Sequence, residues 1–387
     1  MKSVTGRAYF DWNATAPLRE EARAAMTGAL ALTGNASSVH AEGRAVHRLM
    51  EEARERVAHL VGADPKNVTF TSGATEANML ALTPAFEVAG RKEPRDRLFV
   101  SAIEHPSVRA GGRFPTKSVE TLPVTSGGVL HLNALPLALK KVARPLVSVM
   151  LANNETGVVQ PIAQIAEIVH AASGILHVDA VQAAGKIDCD IARHGADLMS
   201  ISSHKLGGPQ GAGALVRRGD VHIAEPLIKG GRQERGQRAG TENVAAIAGF
   251  GAAATAAKLT DTRRTAALRD RLEQGIKGAT PQAVIFGDRV TRLPNTTLFA
   301  IPGVKAETAI IAFDLNGIAV SSGSACSSGK VQPSEVLAAM GVDAALARGA
   351  IRVSLGHSTT DAEVDRFVET WNIVAGSLLK ERSGVAA

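Results

Sequence analysis

The sequence predicts an α/β fold: a largely parallel sheet of seven strands covered on both faces, joined to a smaller α+β domain near the C-terminus. Three observations carry this. Seven short apolar runs, at residues 68–70, 97–103, 119–122, 145–151, 175–179, 197–202 and 213–216, are separated mostly by helical or loop segments. Several of them run out into polar or charged residues, as strands do when ligands gather at their carboxyl ends. After Ala257 the texture changes to a charged helix followed by shorter strands. The expected division is a large domain over 15–257 and a small one made of 1–14 and 258–387.

A chain of 387 residues, 45% of them hydrophobic, is long enough to bury cores of this size. Residues 1–11 lack a signal-like apolar core. The longest apolar stretch, 245–257, is broken by glycines and a threonine and falls short of a bilayer span, so a cytoplasmic protein without membrane contact is expected. Two cysteines, Cys189 and Cys326, are too few for a disulfide framework or a thiol-built zinc or iron–sulfur site, and no metal is expected. The net charge of +6 comes without a long basic run, and aromatics make up only 3% of the chain. That excludes the stacking platforms of nucleic-acid binders and leaves solubility, or the steering of anions, as the meaning of the charge.

In chain order, residues 17–32 read as a helix with Pro17 in its first turn, and 41–61 as a longer one. In the second, Val46, Leu49, Met50, Ala53, Val57 and Leu60 recur at helical spacing and Gly62 supplies the stop. Between them Gly34-Asn35-Ala36-Ser37-Ser38 is a small polar loop, either a turn or a cover over a ligand. The strand at 68–70 runs into Thr71-Ser72-Gly73-Ala74-Thr75-Glu76 and then an apolar helix through Leu82. Strand, small-residue turn and helix leave backbone N–H groups and the helix dipole open to a phosphate. The alternative is a helix start capped by Ser72 or Thr75. Neither a Walker lysine nor G-x-G-x-x-G follows, which disfavours a nucleotide.

Glu104-His105 leave the second strand, Asn153-Asn154-Glu155 the fourth, Asp179 and Gln182 the fifth, and Ser202-Ser203-His204-Lys205 the sixth. One pocket collects them. A lysine at such a strand end can hold an aldehyde cofactor as a Schiff base, while an aspartate across the ring keeps a pyridine nitrogen protonated. Lys205 and Asp179 therefore suggest pyridoxal 5′-phosphate, against the alternative of a surface ammonium and a solvated carboxylate. A histidine sharing that pocket, as His105 does, fits a ring stacker or proton carrier.

Beyond Ala257, residues 263–279 read as an exposed charged helix, 283–286 and 296–301 as strands, 306–315 as a helix, and 318–321 with 350–355 as a strand pair. In Ser321-Ser322-Gly323-Ser324-Ala325-Cys326-Ser327-Ser328-Gly329 one thiol stands among residues with almost no bulk, which makes Cys326 the candidate reactive cysteine. Cys189, alternating with Ile187 and Ile191, reads as a packing residue. Arg352 is a charge inside an apolar strand; its natural partner is a carboxylate taken in a two-pronged grip, and the alternative is a salt bridge within the protein.

Thr71 to Asn78, Glu104-His105, Asn153-Asn154-Glu155-Thr156-Gly157, His177-Val178-Asp179-Ala180-Val181-Gln182, Ser203-His204-Lys205, Glu234-Arg235-Gly236-Gln237-Arg238-Ala239-Gly240-Thr241 and Ser321 to Ser328 together resemble the cysteine desulfurases of the NifS/IscS type, within the class V aminotransferases. The resemblance runs from about Tyr9 to Thr360. It implies a homodimeric pyridoxal phosphate enzyme of fold type I that takes sulfur from L-cysteine and leaves L-alanine. The sulfur would rest on Cys326 as a persulfide and pass to an acceptor or scaffold protein for iron–sulfur cluster or other sulfur-cofactor assembly. By resemblance Lys205 forms the Schiff base and takes the α-proton, Asp179 pairs with the pyridine nitrogen, His105 stacks on the ring and joins in catalysis, and Gln182 bonds the ring hydroxyl. The phosphate would lie on Gly73, Ala74 and Thr75, on Ser202 and His204, and on Thr241 reaching across from the other subunit. Asn154 and Arg352 would hold the substrate carboxylate, Asn154 also touching the cofactor.

The chain departs from that pattern at Ala36, where proline is usual, at Gly207-Gly208, where a bulkier residue often follows the lysine, and at Arg232, where glycine is usual. It also ends at Ala387 without the longer tail that housekeeping members use for docking, which leaves the acceptor open. A selenocysteine lyase or another lyase or aminotransferase of the same fold is the rival reading, opposed by Cys326 in its small-residue loop. A non-catalytic binding protein of this fold is opposed by Lys205 with Asp179. Thr241 keeps its own alternative, a helix cap within its own subunit.

Overall fold

The computed structural model describes residues 6–258, 260–323 and 333–384. Its largest sheet holds β1 (Val68–Thr71), β2 (Arg97–Ser101), β3 (Val119–Leu122), β4 (Pro145–Met150), β5 (Ile175–Asp179), β6 (Leu198–Ser202) and β7 (Gly213–Arg217), in the spatial order β1-β7-β6-β5-β4-β2-β3. The expected runs match these strands to within two residues. All neighbours are parallel except β7, which runs antiparallel to both β6 and β1.

Strands buried on both faces read as near-continuous apolar runs, and β4, β6 and β7 are buried at every position. The period-2 alternation sorts their side chains. Val147, Val149, Met199 and Ile201 face a core shared with α2 (Ala41–Leu60), α4 (Ile162–Ala171) and α5 (Val244–Lys258). Leu98, Val100, Leu146 and Leu198 face the opposite way, against Ala77 and Leu80 of α3 (Ala74–Ala81). On this second side a polar row crosses three strands: Ser148 Oγ lies 2.8 Å from His177 Nδ1, and His177 Nε2 lies 2.9 Å from Ser200 Oγ. Burial lowers the His177 pKa to about 4, so the ring is neutral within the sheet.

The first helix, expected over 17–32, is α1 (Glu20–Leu30). Pro17 lies before it because Arg19 is extended: its N–H goes to the Gly207 carbonyl and its Nε to the Leu206 carbonyl, both at 2.8 Å. The departure at Gly207 acquires a reason here. Gly207 has φ +86°, and a Cβ there would stand 2.7 Å from Arg19 Cγ, so glycine lets the 17–19 segment close over the lysine strand end. A three-stranded antiparallel ribbon, Phe86–Val88 with Arg91–Lys92 and Val221–Ile223, has no counterpart in the sequence reading, since strands this short carry no periodic signal.

A second sheet holds β8 (Val284–Ile285), β9 (Thr296–Ala300), β10 (Ser321–Ser322) and β11 (Ile351–Ser354), antiparallel in the order β8-β9-β11-β10. The run at 318–321 is divided: Ile318–Ala319 pairs with Ala8–Tyr9 instead, which brings the N-terminal segment into this part of the molecule. The core beneath joins Phe10 and Phe299 with residues of α6 (Arg263–Ala279), α7 (Ala306–Leu315) and α8 (Asp361–Gly384). Phe313 stacks on Phe367 at 4.9 Å and on Trp371 at 5.9 Å between ring centroids. No helix among the described residues is long and apolar enough to cross a membrane.

Candidate active site

A cleft of about 610 Å³ opens at the carboxyl ends of β5 and β6, between the start of α3 and the Arg352 strand. Gly73, Ala74, Thr75, His105, Asn154, Asp179, Gln182, Ser202, His204, Lys205 and Arg352 all line it. The parallel register explains this convergence, because Met150 pairs with Asp179 and Asp179 with Ser200, so neighbouring strands end at one level.

Asp179 ends β5 nearly buried, with Oδ1 accepting from Val181 N at 3.0 Å and Oδ2 from Asn78 Nδ2 at 2.9 Å. Lys205 donates from Nζ to the carbonyls of Asn13 (2.5 Å) and Ala14 (2.8 Å). Gln182 donates from Nε2 to the same Asn13 carbonyl at 2.9 Å and accepts at Oε1 from Lys186 Nζ at 3.0 Å. Burial, with the neighbouring charges of Lys205 and Arg352, lowers the Lys186 pKa to about 7. His204 Nδ1 lies 3.2 Å from Thr15 Oγ1, and burial beside Lys205 and Lys186 brings its pKa to about 4. Burial likewise lowers the His105 pKa, with Asp179 opposing and Lys205 adding to the shift.

Arg352 is 3% exposed and makes its salt bridge within the protein at the edge of the cleft. Its Nη2 pairs with Asp11 Oδ1 at 2.8 Å and its Nη1 donates to the Asn154 carbonyl at 3.0 Å, while it also lines the cleft. The internal salt bridge therefore exists, and hydrogens on both terminal nitrogens remain for a carboxylate. Asn153 shapes the turn that presents Asn154: its Oδ1 accepts from the N–H groups of Glu155 and Thr156, both at 2.9 Å.

Thr241 is exposed and does not line the cleft of its own chain. The alternative that it caps α5 is corrected by the structure, where Asn243 Oδ1 accepts from Ala246 N at 3.1 Å. The capped start proposed for α3 is also absent: Gly73 precedes the helix with no side-chain cap, and Ser72 donates instead to Glu76, which Arg238 holds at 2.9 Å. Cys326 and residues 324–332 lie outside the described residues. Cys189 packs in the large core, its thiol raised above its ordinary range by burial.

The donor set fits pyridoxal phosphate. The open first turn of α3 faces the cleft beside Ser202 and His204, and a Cβ on Gly213 would stand 2.6 Å from the Gly73 carbonyl carbon, so only glycine lets β7 approach this turn. Lys205 and Asp179 stand at adjacent strand ends in the same cleft, where an aldehyde and a ring nitrogen would find an amine and a carboxylate.

Sequence reasoning missed Asn13, which ties the cleft to the second core. Its Nδ2 donates to Thr296 Oγ1 at 2.9 Å, its N–H to Ser354 Oγ at 2.9 Å, and its carbonyl receives Lys205 and Gln182. It also missed the supporting roles of Lys186, Asn78 and Ser107. Of these only Asn78 stood in a quoted motif, Thr71 to Asn78; Asn13, Ser107 and Lys186 lie outside the quoted motifs and carried no signal of their own.

The fold and this cleft are those of a class V aminotransferase, whose family model, Aminotransferase class-V, matches residues 8–367. The chain belongs to that family and, within it, to the NifS-like cysteine desulfurases. It is 44% identical to a cysteine desulfurase of Cereibacter sphaeroides, over 94% of each chain. It is 39% identical to an IscS-like cysteine desulfurase of Mycobacterium tuberculosis, over 98% of each. The structure of a NifS-like protein from Rickettsia africae superposes with a TM-score of 0.85 at 34% identity, covering 96% of this chain and 99% of that one.

Proposed function

We propose that this chain converts L-cysteine to L-alanine with pyridoxal phosphate in the cleft, and that Cys326 receives the sulfur for an acceptor protein of iron–sulfur cluster or other sulfur-cofactor assembly. The observation that carries the reading is the Lys205 ammonium and the Asp179 carboxylate in one cleft, beside the uncapped start of α3. Bound there, the cofactor supplies an electron sink for charge at the substrate α-carbon.

The chain's own residues do the rest. Asp179 holds the ring nitrogen's proton, Gln182 donates to the ring hydroxyl and His105 covers the ring face. The α3 turn at Gly73, Ala74 and Thr75, with Ser202 and His204, binds the phosphate, while Asn154 and Arg352 orient the substrate carboxylate. Lys205 leaves its two carbonyl partners and takes the α-proton. The Cys326 thiolate then bonds to the substrate sulfur as the C–S bond breaks; the electron pair stays with the carbon fragment, which is protonated and leaves as alanine. Sulfur moves from one thiol to another, so no external oxidant is required. Thr241, exposed in its own chain, serves the partner's phosphate in a homodimer, in a cytoplasmic enzyme divided into 15–257 and a small part formed by 1–14 with 258–387.

Borohydride reduction of the purified yellow protein, followed by peptide mapping, should place the cofactor on Lys205. A label on another lysine, or none, removes the basis of this assignment.

A further inference from the structure

Asn78 sits inside α3 almost wholly buried, an unfavourable place for an asparagine unless its amide is used. Its Nδ2 has two hydrogens and two acceptors: Asp179 Oδ2 at 2.9 Å and Ser107 Oγ at 2.9 Å. A carboxylate only accepts, so turning the amide over would set Asn78 Oδ1 against Asp179 at the same distance. The orientation is thereby determined. It holds although Asn78 Oδ1 itself is buried without a hydrogen-bond partner among the described residues, so the two donor bonds decide the placement.

The direction passes on. Ser107 Oγ receives the Asn78 hydrogen, leaving its own for His105 Nδ1 at 2.8 Å; the Ser107 backbone N–H also points to Nδ1, at 3.2 Å. A ring nitrogen that accepts two donors carries no proton, so the hydrogen of the neutral ring is on Nε2. Burial of His105 favours that neutral form.

We propose that Asn78 and Ser107 are paired positioning residues: one amide steadies Asp179 and, through the Ser107 hydroxyl, fixes His105 as the tautomer protonated on Nε2. This rests on reading Asp179 and His105 as the groups that meet the cofactor. At rest His105 is then a proton donor through Nε2, and accepts there only after it has given its proton away.

The test is ¹⁵N NMR of histidine-labelled holoprotein at about neutral pH, with His105 assigned by the signal that His105→Gln removes. Wild type should show an unprotonated Nδ1 and a protonated Nε2. Ser107→Ala keeps the backbone donor but loses the hydroxyl. It should lower the Nε2–H to Nδ1–H ratio roughly fivefold, which is about 1 kcal/mol for one hydrogen bond. Asn78→Leu should change the ratio in the same direction and also weaken pyridoxal phosphate binding roughly tenfold by removing a donor to the buried carboxylate, whereas Ser107→Ala should leave that affinity within about twofold. A proton on Nδ1 in the wild type, or an unchanged ratio in Ser107→Ala, overturns the inference. Failure of borohydride to label Lys205 would instead overturn the functional reading, so the two failures are separately visible.

Discussion

Glu234→Ala should destabilise the cofactor-free protein by about 3–5 kcal/mol, the usual range for breaking a buried ion pair from one side. Arg54 and Glu234 have side chains only 4% and 2% exposed, and two parallel bonds of 2.7 Å join them. Glu234 Oε2 also accepts Phe70 N–H at 2.7 Å, and the guanidinium lies 4.7 Å from the Phe70 ring centroid. Without the carboxylate, Arg54 keeps Glu51, the Val68 carbonyl and the Phe70 ring, and Phe70 N–H loses its partner, itself a loss of roughly 1–3 kcal/mol that overlaps with the first. Against this stands the left-handed backbone at Glu234 and Arg235, φ 47° and 57°, each disfavoured by about 1 kcal/mol and relieved only if the loop relaxes. The ion pair outweighs that strain and holds the turn leading to Arg238 and Thr241. A cycle of Glu234→Ala, Arg54→Met and the double variant, followed by urea denaturation and circular dichroism, should give a coupling energy of roughly 2 kcal/mol or more. A coupling below about 0.5 kcal/mol, or a single-variant loss below about 1 kcal/mol, would refute the reasoning.

Two further outcomes concern Glu104 and the two thiols. Burial pushes the Glu104 carboxyl up to about 8, above its ordinary 4.5, although the Ser101 hydroxyl and Met150 N–H favour its anion. A raised folded pKa means stability that is complete below about pH 4.5 and lost as pH climbs toward 8. Wild type should therefore lose a few kcal/mol relative to Glu104→Gln between pH 5 and 8, at no more than about 1.4 kcal/mol per pH unit; parallel stability profiles would contradict this. For the thiols, Cys326→Ala should retain cofactor yet form almost no alanine, while Cys189→Ala, altering a thiol buried in the large core, should leave turnover nearly unchanged. Equal losses in an alanine assay would move the sulfur-accepting role away from Cys326.

The strands and the groups at their ends were legible in the sequence because both are local properties. A parallel strand buried on both faces is apolar along most of its length, so 145–151 and 175–179 announce themselves despite Ser148 and His177, and a polar residue at or just past the run marks where the strand ends. Asp179 and Lys205 could be paired because their strands are neighbours, and the α3 turn was visible as small residues between a strand and a helix. Cys326 was likewise marked by its immediate neighbours.

What only the tertiary structure decided are the contacts between distant segments. Asn13 reaches Lys205 across 192 positions, Arg352 reaches Asp11 across 341, and Asn78 reaches Asp179 across 101. No local pattern encodes such partners, because a hydrogen bond depends on where two backbones have been carried by the packing of everything between them. The same reason explains Pro17 and Thr241. A proline suited to a helix start was drawn out of the helix by the docking of Arg19 on Gly207, and a threonine suited to a cap lost that role to Asn243. Residue chemistry determined what this cleft can bind; the packing of two cores around Asn13 determined which donors and acceptors meet inside it.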